Sequence, residues 1–123
     1  MLMTFDFSSP VPLYQQLRNQ VVIGIAEGKL KPGEKLPTIR TLAVESGINM
    51  MTVSKAYQLL KQEGFIETDR RSGAVITSGK IIHFPKEKEE SLRLVLSEMR
   101  LAGMKKEDVL RLCERLYEEG DSR

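Results

Sequence analysis

The sequence has no tryptophan, one cysteine and one histidine in 123 residues. A lone Cys113 closes no internal disulfide, which fits a reducing compartment and an expected cytoplasmic location. His83 and Cys113 form no cluster at metal-ligand spacing, so no metal site is expected. The same scarcity leaves no nucleophile–base–orienter set, and no glycine-rich loop follows a phosphate- or dinucleotide-binding pattern. Neither an enzyme nor a cofactor is therefore expected. Long hydrophobic runs are missing as well: a stretch such as Val21 to Ala26 is far too short to cross a bilayer. Met1 to Phe7 lacks the basic start and long apolar core of a signal peptide, so no membrane partner is expected. Charge of one sign is scarce too. The net charge is +2, with nine Lys/Arg against seven Asp/Glu in residues 1–79 and ten against ten in residues 80–123. A nucleic-acid partner must then be argued from placement and motif, since bulk charge does not announce one.

What is present is globular in balance, 41% hydrophobic and 29% charged. After Pro10-Val11-Pro12, a sequence suited to a first helical turn, Leu13, Tyr14, Leu17, Val21 and Ile25 recur at helical spacing, and Gly28 ends the run. Pro32-Gly33 marks a turn. Lys35-Leu36 is a short extended piece, kept from helix by the following Pro37. A second helix is expected from Thr38 to about Ser46, with Ile39, Leu42 and Ala43 as its buried stripe and Gly47 as its left-handed stop. Asn49 is a good N-cap for a third helix, which carries Val53, Ala56, Tyr57 and Leu60 on one face and stops at Gly64. Two short helices joined by a tight glycine-containing turn are the signature of a helix-turn-helix. Phe65 to Thr68 and Ala74 to Thr77 then read as a hairpin around the charged turn Asp69 to Gly73.

The composition shifts after Ser78, where Gly79, Pro85 and the charges of Lys86 to Glu89 mark a linker running into a helix. Helices are expected over about 86–102 and 106–119, broken at Gly103. Leu92, Val95, Leu96 and Met99 share one face of the first, with Leu94 and Leu101 elsewhere. The second offers Val109, Leu112, Cys113, Leu116 and Tyr117. Two helices this apolar on more than one side cannot hide everything against each other, and the surplus points to a second copy of the chain. Leu92, Val95, Leu96, Met99, Leu112, Cys113 and Leu116 are the expected homodimer interface, with Cys113 as a packing thiol. The expected architecture is mainly α with a small β-hairpin wing (α+β). It comprises a winged helix-turn-helix over 11–79 and a linker with two dimerising helices over 80–123.

The order of elements comes with specific residues. Pro12-Leu13-Tyr14, then Gly28 to Thr38 as GKLKPGEKLPT, then Arg40, Leu42 and Ala43 resemble the N-terminal domain of GntR-type regulators. Thr52 to Tyr57 as TVSKAY, then Leu60, Glu63-Gly64 and Ile66-Glu67, continue the likeness, which covers about residues 11–77. The short helical tail, too small for the usual effector domain, resembles the YtrA-like subfamily. The resemblance implies a sequence-specific DNA-binding transcriptional regulator, a repressor occupying an inverted-repeat operator as a homodimer. The chain departs from the family where Met50 and Met51 replace a common Arg or Pro followed by Asn or Thr. It departs again where Arg71-Ser72-Gly73-Ala74-Val75-Ile76 replaces a wing that commonly reads G-x-G-T-F/Y-V.

In a helix-turn-helix, the N-terminal residues of the second helix face base edges in the major groove. Here these are Asn49, Met50, Met51, Thr52, Ser54 and Lys55. Thr52 and Ser54 supply hydroxyls and Lys55 a mobile point charge. Met50 and Met51 offer no hydrogen bonds; they lie against thymine methyl groups, or one of them folds back into the core. Arg40 stands off the buried stripe of its helix, where its fork of donors suits a guanine or a phosphate, and the resemblance implies a DNA contact there. Thr38 offers a hydroxyl and a helix N-terminus to a phosphate. Arg70, Arg71, Ser72 and Gly73 form a wing tip suited to the minor groove or the backbone. Two rival readings come from other classes: a protein-docking adaptor that uses the methionine surface, and a sensor of an unknown small-molecule effector.

Overall fold

A computed structural model describes residues 3–71, 73–77 and 83–121. The chain divides into two compact units, residues 1–82 and 83–123. In the first unit, α1 (Leu13–Ala26), α2 (Ile39–Ser46) and α3 (Met50–Gln62) are followed by β1 (Ile66–Asp69) and β2 (Gly73–Ile76). The second unit holds α4 (Lys86–Leu101) and α5 (Lys106–Asp121).

The apolar stripes read from the sequence become the core of the first unit. Leu17 and Val21 of α1, Leu42 and Ala43 of α2, and Val53, Ala56, Tyr57 and Leu60 of α3 are buried together with Ile66, Ala74 and Ile76 of the hairpin. Leu13, Tyr14, Ile25 and Ile39 lie at the edge of that cluster, partly buried. Pro12 occupies the N-cap of α1 and Thr38 the N-cap of α2, each one residue outside the helix it starts. Gly47 takes φ +72 and lets the Ile48 N–H turn back to the Ala43 carbonyl, so α2 ends and Asn49 is free to cap α3.

The hairpin sits one residue later than expected on its first strand and starts one residue earlier on its second. The Phe65 N–H is taken by the Leu60 carbonyl in closing α3, which keeps Phe65 out of the strand. At the other end Asp69 pairs with Gly73, so both belong to the antiparallel ladder rather than to the turn. Glu34 to Leu36 lie on the far side of β2. The Leu36 N–H donates to Ala74 and the Ile76 N–H to Glu34, each at 2.9 Å, so the extended piece before Pro37 flanks the wing.

Residues 3–9, outside the domain limits read from the sequence, are fastened to α1. The Gln20 side chain pairs with both the N–H and the carbonyl of Thr4, and the Gln16 side chain does the same for Asp6. Arg18 grips Glu63 with two hydrogen bonds of 2.8 and 3.0 Å and stacks over the Phe65 ring, tying α1 to the end of α3. A bidentate, charge-assisted pair of this geometry is among the stronger polar contacts available to a fold.

The second unit has a different economy of burial. Between its helices Gly103 takes φ +90, and the Met104 and Gly103 N–H groups return to Met99 and Arg100, a tight helix end. Asp108 reaches back to the Lys105 N–H and opens α5. No residue of α4 is buried.

Candidate nucleic-acid interface

Thr38 caps α2 and Asn49 caps α3, and this local capping decides which side chains near the two helix starts are free. Asn49 Oδ1 accepts the Thr52 N–H at 2.8 Å. Thr38 Oγ1 accepts the Thr41 N–H at 3.1 Å and donates to Thr41 Oγ1 at 2.8 Å. Short polar residues take this role because a first helical turn leaves N–H groups unpaired. The Thr38 hydroxyl is thus engaged within its own helix. Asn49 is engaged through one bond to its carbonyl oxygen in the same way.

Arg40, the second residue of α2, is exposed and has no partner among the described residues. Met50 is 47% and Met51 83% exposed, so neither folds back into the core. Ser54 and Thr52 of α3 are half-buried. Lys55 is less mobile than a solvated lysine: its Nζ sits 4.1 Å from the centroid of the Tyr14 ring, a cation–π contact joining the recognition helix to α1. Tyr14, Asn49, Met51, Thr52, Ser54, Lys55 and Gln58 line one shallow groove. At the wing, Arg70 and Arg71 are exposed, and Asp69 Oδ1 accepts the Arg71 N–H at 2.7 Å and shapes the tip. Gly73 adopts φ +70, which explains why a residue without Cβ stands there. Ser72 lies outside the described residues.

Sequence reasoning missed several neighbours of this surface. A cleft between the start of α2, α3 and the wing is lined by Arg40, Ser54, Gln58, Lys61 and Thr68. Gln58 and Lys61 follow Ser54 by four and seven positions, the spacing that keeps a helix face continuous, so periodicity was a usable signal. Tyr57 was read as core only. Its ring is buried, yet its hydroxyl donates to the Pro37 carbonyl at 2.7 Å, just before the α2 cap. Burial pushes that hydroxyl well above the ordinary tyrosine range, so it remains a proton donor. Tyr57 thereby ties the recognition helix to the segment that presents Thr38 and Arg40. Tyr14 had no signal beyond its helical spacing, because a cation–π contact across two helices depends on how they pack.

The residues expected at a dimer interface are placed as follows. Leu92, Val95, Leu96, Cys113 and Leu116 are exposed, and Met99 and Leu112 are half-buried. Cys113 is therefore not a packing thiol within a single chain. Among the described residues no three His, Cys, Asp or Glu side chains are grouped to hold a metal ion, and no helix is long and apolar enough to cross a membrane.

Comparison with known proteins places this surface in context. The family described as bacterial regulatory proteins, gntR family, matches residues 13–76. The HTH-type transcriptional regulator YhcF of Bacillus subtilis is 31% identical over 108 residues, covering 85% of this chain and 89% of YhcF. The HTH-type transcriptional repressor YtrA of the same organism is 42% identical over 76 residues; the match covers 62% of this chain and 58% of YtrA. A transcriptional antiterminator from Listeria monocytogenes EGD-e has a similar structure, with a TM-score of 0.88 at 27% identity over 98% of this chain and 92% of that one. With the family pattern running from α1 to the end of the wing, the chain belongs to the GntR family of bacterial regulatory proteins and is a YtrA-like, winged helix-turn-helix DNA-binding regulator.

Proposed function

We propose that the chain acts in the cytoplasm as a homodimeric repressor, without catalytic chemistry of its own. Each winged domain occupies one half-site of an inverted repeat, and the paired α4–α5 units of two chains set the distance between half-sites. Two-fold symmetry of the protein then matches the symmetry of the operator, with half-sites about one helical turn or a multiple apart. Repression is steric: the bound dimer covers DNA that the transcription machinery needs.

The observation that carries the DNA part is the cleft that Arg40 shares with Ser54, Gln58 and Lys61 of α3 and with Thr68 and Gly73 of the wing, whose Arg70 and Arg71 are exposed. These groups divide the task in the usual way, cations and helix N-termini positioning the backbone and the α3 face reading bases. The dimer part rests on α4, which exposes Leu92, Leu94, Val95 and Leu96 and buries none of its residues. A small-molecule effector is a separate proposal, tested by a ligand-dependent rise in melting temperature, because a ligand of the native state stabilises by mass action.

The decisive experiment is fluorescence anisotropy with a labelled duplex from the gene's own upstream region, against a scrambled duplex, at several salt concentrations. Preference for the native duplex with affinity falling steeply as salt rises is the expected result, since each neutralised phosphate releases counterions. Failure to bind either duplex at low salt would refute the proposal. It would favour instead a protein-docking role for the exposed Met50 and Met51.

A further inference from the structure

The tip of the recognition helix carries two residues without a hydrogen-bond donor, and Thr52, Ser54 and Gln58 supply theirs further along the groove. Asn49 recognises adenine only by offering its amide oxygen and nitrogen together to the N6 and N7 edge. One lone pair of its oxygen already accepts the Thr52 N–H at 2.8 Å, which fixes the orientation of the amide, and turning it toward a base edge uncaps α3. Lys55, drawn over the Tyr14 ring at 4.1 Å, is held on the side of α3 that faces α1. Between these two committed residues stand Met50 and Met51, the first two residues of α3, exposed to 47% and 83%. Neither has a donor, and a thioether is a weak acceptor. The core of the unit is closed without them.

We propose that the tip of the recognition helix identifies its half-site through the C5-methyl groups of thymines, with Met50 and Met51 as the specificity-determining residues and Tyr14 as the positioning residue that keeps Lys55 toward the flanking phosphates. Thymine alone among the four bases presents an apolar group in the major groove, and a flexible thioether chain closes around it without leaving a polar atom unpaired. An arginine or asparagine at these positions reads hydrogen-bonding edges instead, so this chain prefers a different half-site from relatives that carry them. Arg40, exposed at the start of α2, is free of this restriction.

This inference rests on the DNA-binding reading above, and its test separates the two. The full chain is used to enrich an operator from a randomised duplex. Each thymine of the enriched half-site is then replaced singly by deoxyuridine, which keeps the base pair and removes only the methyl. The expected result is roughly fourfold weaker binding at one or two adjacent thymines, the effect of exposing one buried methyl, and no change at the others. In M50A and M51A, both solvent-exposed changes, the uridine penalty should fall below about twofold at the position each residue covers. An enriched operator that tolerates uridine at every position, or a penalty undiminished in both variants, would overturn the inference while leaving DNA binding intact. If no sequence is enriched, the DNA-binding reading fails and this inference fails with it. For the positioning role, Tyr14→Leu should weaken binding and flatten its salt dependence by about one phosphate contact. Weaker binding at an unchanged salt slope would assign Tyr14 to packing alone.

Discussion

The two units place their apolar residues in opposite ways. In the first, leucines and isoleucines from three helices and a hairpin meet in one core, with Leu17, Val53 and Leu60 fully covered. In the second, α4 covers nothing completely, and Leu92, Leu94, Val95 and Leu101 remain at least half exposed. The first unit closes a core within one chain; in the second, α4 leaves its apolar residues uncovered. A helix can thus be amphipathic in sequence without covering its apolar face within its own unit, and a face left open in this way is where an association can be tested.

The largest expected effect lies in the completed core. Leu60→Ala should cost about 2–5 kcal/mol in urea unfolding, because a cavity is left among neighbours that are already fixed. The matching truncation Leu96→Ala, at an exposed site, should leave the unfolding of the first unit unchanged. A loss as large as that of Leu60→Ala would erase the distinction between the units. Next comes the association surface. Leu96→Glu or Leu112→Glu should weaken dimerisation by roughly 2 kcal/mol or more, since a carboxylate would be desolvated at the centre of an apolar contact. Light scattering at low micromolar concentration reads this directly, and a persisting dimer would show those faces to be internal to one chain. Arg40→Ala should then cost about 1–3 kcal/mol of operator binding, with relaxed base preference if it contacts a guanine. Equal affinity for matched and mismatched duplexes before and after the change would remove Arg40 from the interface. The smallest effect is expected for Tyr57→Phe, which keeps the ring and deletes the bond to Pro37. About 1 kcal/mol of stability should be lost, checked by denaturant unfolding.

Much of the fold was legible because its signals are local. Gly28, Gly47, Gly64 and Gly103 marked the ends of helices, and each adopts a positive φ. Asn49 announced α3 by the cap it makes, and the stripes of α1 and α3 announced the faces they bury. The hairpin limits were less accurate, because Phe65 belongs by its backbone to the close of α3 although its side chain suits a strand. The clasp of Gln16 and Gln20 on residues 3–9 escaped notice, since two glutamines one turn apart look like any solvated helix face. At the candidate interface, the position of each residue was readable from helical spacing. Its freedom was not. Thr38, Asn49 and Lys55 carry the right chemistry for DNA, but capping and the Tyr14 ring engage all three.

Whether two chains, joined through α4 and α5, occupy two symmetric half-sites is decided by the stoichiometry and affinity of the full chain on the enriched inverted repeat and on a duplex containing only one half-site. Two chains per inverted repeat are expected, with binding to the single half-site weaker by about a hundredfold or more as the effective-concentration gain is lost. One chain per duplex, with equal affinity for both, would contradict this expectation.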